Sequence, residues 1–197
     1  VSSDGYSENY EALTMDNSRW SYDHDNDVYY QIGVQYCASP EDTDYETMGI
    51  YVPGAYMNAT ENGDGTYTCT VKPEGQSGNY TAATAPIVLP VNTPGYASSA
   101  APTEYDYSSL SDYLSEGFIY IQPGIRGRQT TVGNMTGDSS VSADDTSSGA
   151  DSDDVSGGAP WGATDMKAAI RYYRFNAETL PGDSDSIFTF GMSGGGA

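Results

Sequence analysis

Residues 187–197 read Ile-Phe-Thr-Phe-Gly-Met-Ser-Gly-Gly-Gly-Ala, an apolar run that breaks into glycines around one serine. Two readings compete: a flexible Gly/Ser tail, or a Gly-x-Ser-x-Gly turn that carries a nucleophile. The second needs a strand immediately before the serine, so that a sharp turn lifts the hydroxyl clear of a sheet. It also needs small residues two before and two after, because the backbone packs too tightly there for side chains. Ile187–Phe190 supplies the strand, and Gly191 and Gly195 supply the flanks. Ser193 is therefore read as a nucleophile. The N–H of Gly194 would then be one donor to the oxyanion formed when a carbonyl is attacked.

A second donor should come from the loop after an earlier strand. Pro86–Asn92 is a continuous apolar run of buried-strand type that empties into Thr93-Pro94-Gly95-Tyr96. Pro94 has no N–H to offer, which leaves Gly95 and Tyr96 as candidates, with an ordinary turn as the plain alternative. Between these two stretches, residues 104–115 hold Tyr107, Leu110, Tyr113 and Leu114 at helical spacing, closed by Glu116-Gly117. Phe118–Ile121 reads as another buried strand. Thr164 or Asp165 is expected to cap a helix carrying Met166, Ala169, Ile170 and Tyr173 at i, i+3, i+4 and i+7.

Strands alternating with helices indicate a mostly parallel sheet in an α/β fold. Earlier, Val28, Tyr30, Ile32, Val34 and Tyr36 alternate and predict a strand with all five on one face. Met48–Pro53 predicts a second strand, residues 58–66 a loop or hairpin tip, and Tyr67–Val71 a third strand. These early strands look antiparallel, so the sheet is expected to be mixed. Residues 1–27 read as a polar lead-in anchored by Trp20 and Tyr22. Residues 129–158, rich in Ser, Gly and Asp, read as an exposed excursion within a single domain.

Composition narrows the partners. Asp and Glu number 28 against 7 Lys and Arg, a formal charge of -21, which opposes a nucleic acid or an anionic membrane surface. No apolar run is long enough to span a bilayer. The 18 tyrosines and the acidic surface suggest a secreted, cell-surface or otherwise extracytoplasmic setting. Cys37 and Cys69 fit either one disulfide in an exported protein or two buried free thiols. Asp23-x-Asp25-x-Asp27 fails as a calcium loop, with Val28 where glycine and Val34 where glutamate are needed. Asp144, Asp145, Asp151, Asp153 and Asp154 are weak calcium candidates; no other cofactor is expected. Asn58, Asn79 and Asn134 open Asn-x-Thr sequons that matter only where the source glycosylates.

The order strand, loop, helix, strand, helix, strand, serine turn over residues 86–197 resembles the α/β-hydrolase core. The stretches YETMGIYVPGAY, GFIYIQPGIRGRQ and AAIRYYRFN…LPGD…FGMSGGGA resemble bacterial tannase and feruloyl-esterase-like proteins of secreted type. The last stretch is the specific part, and the N-terminal third matches only loosely. The resemblance implies an ester hydrolase acting on phenolic or other plant-derived esters, with Ser193 as nucleophile and the Gly95 region with Gly194 as oxyanion hole. Arg126 and Arg128 match the family's pattern, either orienting a substrate carboxylate or pinning neighbouring loops. Asp165, Lys167 and Arg171 read as a helix cap and a solvated face.

Two departures stand out. The excursion at roughly 138–156 has no counterpart. The triad of this fold runs Ser, then Asp or Glu, then His, so the acid and base are expected after Ala197. The chain is therefore expected to be the N-terminal portion of an α/β-hydrolase fold, needing the C-terminal part for activity and inactive by itself. His24 precedes the serine in an acidic segment and is a poor base. The alternative is a non-catalytic acidic surface or carbohydrate-binding module with a Gly/Ser-rich end.

Overall fold

The structure is a computed structural model that describes residues 11–91, 97–127 and 159–191. Ten strands form in chain order. They are β1 (Ser21–Asp23), β2 (Val28–Gln35), β3 (Thr47–Pro53), β4 (Met57–Glu61), β5 (Tyr67–Val71), β6 (Gln76–Ser77), β7 (Tyr80–Thr81), β8 (Ile87–Val91), β9 (Ile119–Pro123) and β10 (Ile187–Gly191). The helices that pack on the sheet among the described residues are α1 (Ser111–Leu114) and α2 (Ala159–Phe175). Six strands make one sheet in the order β1-β2-β3-β9-β8-β10, while β4 pairs with β5 and β6 with β7. The first half of the sheet is antiparallel; β9, β8 and β10 run parallel. The mixed sheet expected from the sequence is present.

Both faces of the sheet are covered across its middle strands, whereas Phe188, Thr189 and Phe190 of β10 are exposed. On one face Ala169, Tyr172 and Tyr173 of α2 pack over Met48, Ile50, Val52, Ile87, Leu89, Ile119 and Ile121. On the other, Leu110 and Leu114 pack over Val28, Tyr51, Val88 and Tyr120. Strand β3 is buried along its whole length. The 11–27 segment is bound into this body. Trp20 is fully buried, its indole N–H donates to Asn17 Oδ1, and its backbone exchanges two hydrogen bonds with Tyr67.

Three expectations need correction. The five alternating residues of β2 do not share a face: Val28 and Tyr30 join the α1 side, whereas Val34 and Tyr36 join the α2 side. The register slips between Gln31 and Val34, where Gly33 takes φ +80°, and one inserted residue sends every later side chain to the opposite face. Residues 58–61 are strand, so the hairpin tip shrinks to the turn carrying Gly63 and Gly65 at positive φ.

The segment 104–115 is a 3-10 turn at Tyr107–Ser109 followed by a four-residue helix. Asp106 accepts from Ser108 N–H and so starts the turn late. Gly117, at φ +90°, ends it as expected, with Phe118 N–H donating to the Tyr113 carbonyl and Gly117 N–H to that of Leu114.

Asn176, just past α2, ties the N-terminal segment to this helix. Its Oδ1 accepts from Met15 N–H at 2.8 Å, and its amide donates to the Leu13 and Tyr172 carbonyls. The residue is buried, so removing it strands Met15 N–H away from water. Asn176→Ala is expected to cost about 2 kcal/mol, read as a fall of roughly 4–8 °C in Tm. A loss below about 0.5 kcal/mol in urea denaturation would show that the segment is held by apolar packing alone.

Candidate functional site at the carboxyl ends of the parallel strands

Strand β8 is the switch point of the sheet. From it the chain crosses to β9 on one side, then returns past β8 to β10 on the other. Connections that leave a strand in opposite directions open a crevice at its carboxyl end, where open α/β sheets bind ligands. Local chemistry widens the opening. The β8–β9 pairing stops at Val88↔Tyr120, two residues before Pro90, which has no N–H to give a neighbouring strand. The β8–β10 pairing continues unbroken from Ile187↔Ile87 to Gly191↔Val91. The residues that lead into 92–96 and into 192–197 are thus paired partners at one end of the sheet.

Ser193, Gly194, Gly95, Tyr96, Arg128 and the aspartates 144, 145, 151, 153 and 154 lie outside the described residues. What is described is their launch points. The expected strand directly before the serine turn is there, and it reaches Gly191.

Arg126, just past β9 on the same end, is committed to carboxylates. Its backbone N–H donates to Asp165 Oδ2 at 2.8 Å, and its guanidinium meets Asp165 Oδ1 at 2.7 Å, Glu41 Oε2 at 2.9 Å and Glu46 Oε1 at 3.4 Å. The guanidinium carbon sits 4.4 Å over the Trp161 ring. Its side chain is only 11% exposed. Of the two roles open to Arg126, this geometry gives it the loop-pinning one: it joins the post-β9 segment to α2 and to the turn before β3.

The cap expected at Thr164 or Asp165 is not where α2 begins. The helix starts at Ala159, with Pro160 in its first turn, where a missing N–H costs nothing. Asp165, one turn and a half further in, is buried and spends its carboxylate on Arg126. Lys167 and Arg171 do lie on the exposed side.

Sequence reasoning missed Glu46, which is nearly as buried as Asp165. Its Oε2 accepts from the Glu41 and Asp42 N–H groups, and its Oε1 accepts from the Cys37 thiol at 3.6 Å. A glutamate directly before the apolar run of β3 was the available signal. Tyr36 closes the cluster, its hydroxyl shared between the Tyr45 and Gly124 carbonyls. Burial, aided by Asp165 and Glu46, raises its pKa well above the ordinary phenol value.

Cys37 and Cys69 are free thiols in the structure, so the disulfide alternative is not realised. Cys37 serves the Arg126 cluster, whereas Cys69 is buried on β5. Burial pushes both up to about 12, with Glu46 adding to the shift at Cys37. Such thiols are neutral and unreactive at ordinary pH.

His24 stands in the turn from β1 to β2. The sheet order puts five strand spacings between β1 and β10, roughly 24 Å at ~4.8 Å each. The registers Val28↔Pro53 and Tyr51↔Tyr120 also place that turn at the end where the parallel strands begin. His24 packs edge-on to Tyr22 and contacts the Tyr67 hydroxyl at 3.3 Å. It is an aromatic packing residue far from Gly191.

Asp23 and Asp27 of the same turn are likewise used locally, accepting from Tyr105 and Tyr22 hydroxyls. Among the described residues no group of three or more His, Cys, Asp or Glu side chains could hold a metal ion. None of the described helices is long and apolar enough to cross a membrane. A cleft of about 900 Å³ opens over Gln31–Gln35 of β2, beside Tyr45 and Tyr172. Ala100–Thr103 and Thr43–Asp44 also line it.

Comparison with solved structures finds similar folds. The neighbours are tannases. Fusobacterium nucleatum tannase matches with a TM-score of 0.67 and 25% identity, over 93% of this chain and 34% of that one. Tannin acyl hydrolase from Lactobacillus plantarum matches at 0.59 and 28% identity, over 85% and 31%. A tannin acyl hydrolase in complex with ethyl gallate matches at 0.61 and 26% identity, over 93% and 36%. The chain spans about a third of the length of these proteins. No family model matches the sequence, and no curated protein sequence matches it.

Asp165 and Glu41 separate a buried from an exposed ion pair around one guanidinium. Asp165→Ala leaves a largely desolvated Arg126 short of its main partner and is expected to cost about 3–5 kcal/mol. Glu41→Ala, at a side chain 56% exposed, is expected to cost under about 1 kcal/mol. Urea denaturation of the two variants checks the ranking; equal losses would overturn it.

Proposed function

We propose that residues 1–197 form the leading part of a serine carboxylic-ester hydrolase of the α/β-hydrolase fold, acting on phenolic or other plant-derived esters. One observation carries the reading. Val91 and Gly191 are paired ends of adjacent parallel strands, so the strands that lead to Gly95-Tyr96 and to Ser193 end level with each other at the switch point. A nucleophile and a second oxyanion donor need that adjacency. The tannase neighbours, one of them held with the phenolic ester ethyl gallate, support the substrate class.

In this reading Ser193 Oγ attacks the ester carbonyl. The Gly194 N–H, with that of Gly95 or Tyr96, holds the oxyanion. A histidine base takes the serine proton and returns it to the leaving alcohol, and a carboxylate orients that histidine. In this fold the acid and the histidine follow the serine in the chain, so both are assigned to sequence after the serine turn; His24, at the opposite edge and the opposite end of the sheet, is not placed to serve. Arg126 acts at a distance by fixing the segment beyond β9. The chemistry needs no cofactor. The acidic, tyrosine-rich composition supports an extracytoplasmic setting.

Residues 1–197 alone are expected to show no serine-dependent hydrolysis of an aryl ester, since a serine hydroxyl without a base stays unactivated. The full reading frame is expected to hydrolyse it, and Ser193→Ala to lower kcat by roughly 10⁴-fold or more. Turnover by residues 1–197 that Ser193→Ala removes, or full-frame turnover that it spares, overturns the assignment.

A further inference from the structure

The surface of this chain is charged in one direction almost everywhere. The sequence holds 28 Asp and Glu against 7 Lys and Arg, and only two of those cations are lysine. Among the described residues 20 side chains are Asp or Glu. The ion pairs there take only Asp16, Glu41, Glu46 and Asp165, which leaves 16 with no cationic partner. Arg126 serves three of the four, so even the most buried guanidinium is outnumbered. Hydrogen bonds from Ser18, Thr66 and Ser186 hold the carboxyls of Asp16, Asp64 and Asp183 below the usual range. Protonation therefore does not relieve the charge near neutral pH.

The distribution argues against a docking face. Asp25 and Asp27 occupy the β1–β2 turn at one end of the sheet, and Asp42 and Asp44 precede β3 at the other. Glu61 and Asp64 lie at the tip of the β4–β5 hairpin. Asp106, Asp112 and Glu116 surround α1 on one face of the sheet; Glu178, Asp183 and Asp185 follow α2, which covers the other. A basic partner would meet one patch of such a surface and leave the rest uncovered. Among the described residues no three of these carboxylates converge on one metal ion. What faces every patch at once is the ionic solution itself.

Self-repulsion of a compact body with formal charge -21 opposes folding, because the unfolded chain spreads the same charge over a larger volume. Exposed charges interact across about 10 Å at 0.1 M ionic strength and only about 3 Å at 1 M. Carboxylates two residues apart, such as Asp42 and Asp44 or Asp183 and Asp185, have Cα atoms no more than about 7.6 Å apart. They lie inside the first range and outside the second.

We infer that this chain is built to fold in concentrated salt. Its partner is a dense layer of hydrated monovalent cations, held by the whole carboxylate surface and not at any one site. The requirement is independent of the reaction the chain performs.

Thermal unfolding of the chain, followed by circular dichroism in KCl and in NaCl from about 0.1 M to about 2 M, tests this. Tm is expected to rise by about 10 °C or more, equally in the two salts. A chain unfolded at the low concentration and folded at the high one is the limiting form of that result. Sucrose strengthens burial without screening charge, and at matched osmolality it is expected to give less than about half of the rise. A second chain carries Glu61→Lys, Glu74→Lys, Glu104→Lys, Asp112→Lys, Glu116→Lys and Glu178→Lys, all at exposed residues outside the ion pairs. Six reversals of two charges each take the formal charge from -21 to -9. This variant is expected to be the more stable chain at about 0.1 M and to gain less than about half as much from salt.

A Tm that stays level or falls with salt overturns the inference. So does a sucrose gain equal to the salt gain, or an undiminished salt gain in the six-fold variant. A rise with only one of the two cations overturns it in favour of a discrete cation site. Should the variant fail to fold, the comparison of potassium, sodium and sucrose on the unaltered chain decides.

Discussion

The parallel pairing of β8 with β10 is the constraint on which the rest depends. Five consecutive residue pairs, from Ile187↔Ile87 to Gly191↔Val91, fix where each strand ends relative to the other. Parallel strands cannot be joined by a tight turn, so each must be reached by a crossover. The crossovers place α1 on one face and α2 on the other. A one-residue slip of β10 would move Gly191 past Val91 and exchange the faces of Ile187 and Phe188. The geometry of the crevice, the cover of the sheet and the exposure of two phenylalanines thus follow from one register.

The Arg126 cluster holds that register from outside the sheet. α2 is the crossover that delivers β10, and its buried face begins and ends in polar side chains, Asp165 and Asn176. Asp165 fastens the helix to the segment leaving β9, and Asn176 fastens it to Leu13 and Met15. Ala169, Tyr172 and Tyr173 between them supply most of the apolar burial. Apolar contact alone would let such a helix slide along the sheet. Hydrogen bonds from Asp165, within its first half, and from Asn176, just past its end, give it a fixed position, which apolar packing of the right size does not guarantee.

The elements legible in the sequence were those whose signals are local. Ile187–Phe190, the Ile87–Val91 run and Met48–Pro53 read as strands because β-branched and aromatic residues cluster between turn residues. Gly117 read as a helix end because a left-handed residue is needed there. What misled was also physical. The alternation of Val28 to Tyr36 is real, but Gly33 permits a bulge that period-two counting cannot see. Asp165 resembles a cap because aspartate is a good one; only a partner 39 residues away, Arg126, reveals it as a buried anion. Glu46 likewise gained meaning only through Cys37, Glu41 and Arg126, contacts that no spacing rule encodes.

The same distinction bears on the serine. Gly-x-Ser-x-Gly is a weak signal in a chain with 23 glycines, and its weight comes from what precedes it. A linker needs no strand before it and no partner strand in register. Here the motif follows a strand that pairs along its whole length with β8. The first residue of the motif, Gly191, is itself the last paired residue, level with Val91 at the mouth of the 92–96 loop. The proposed nucleophile and oxyanion loop are therefore linked by a shared strand end, a constraint that acts before any substrate arrives. That is the form preorganisation takes when the catalytic groups sit on loops: the rigid parts are the strand ends, and the chemistry is placed one or two residues beyond them.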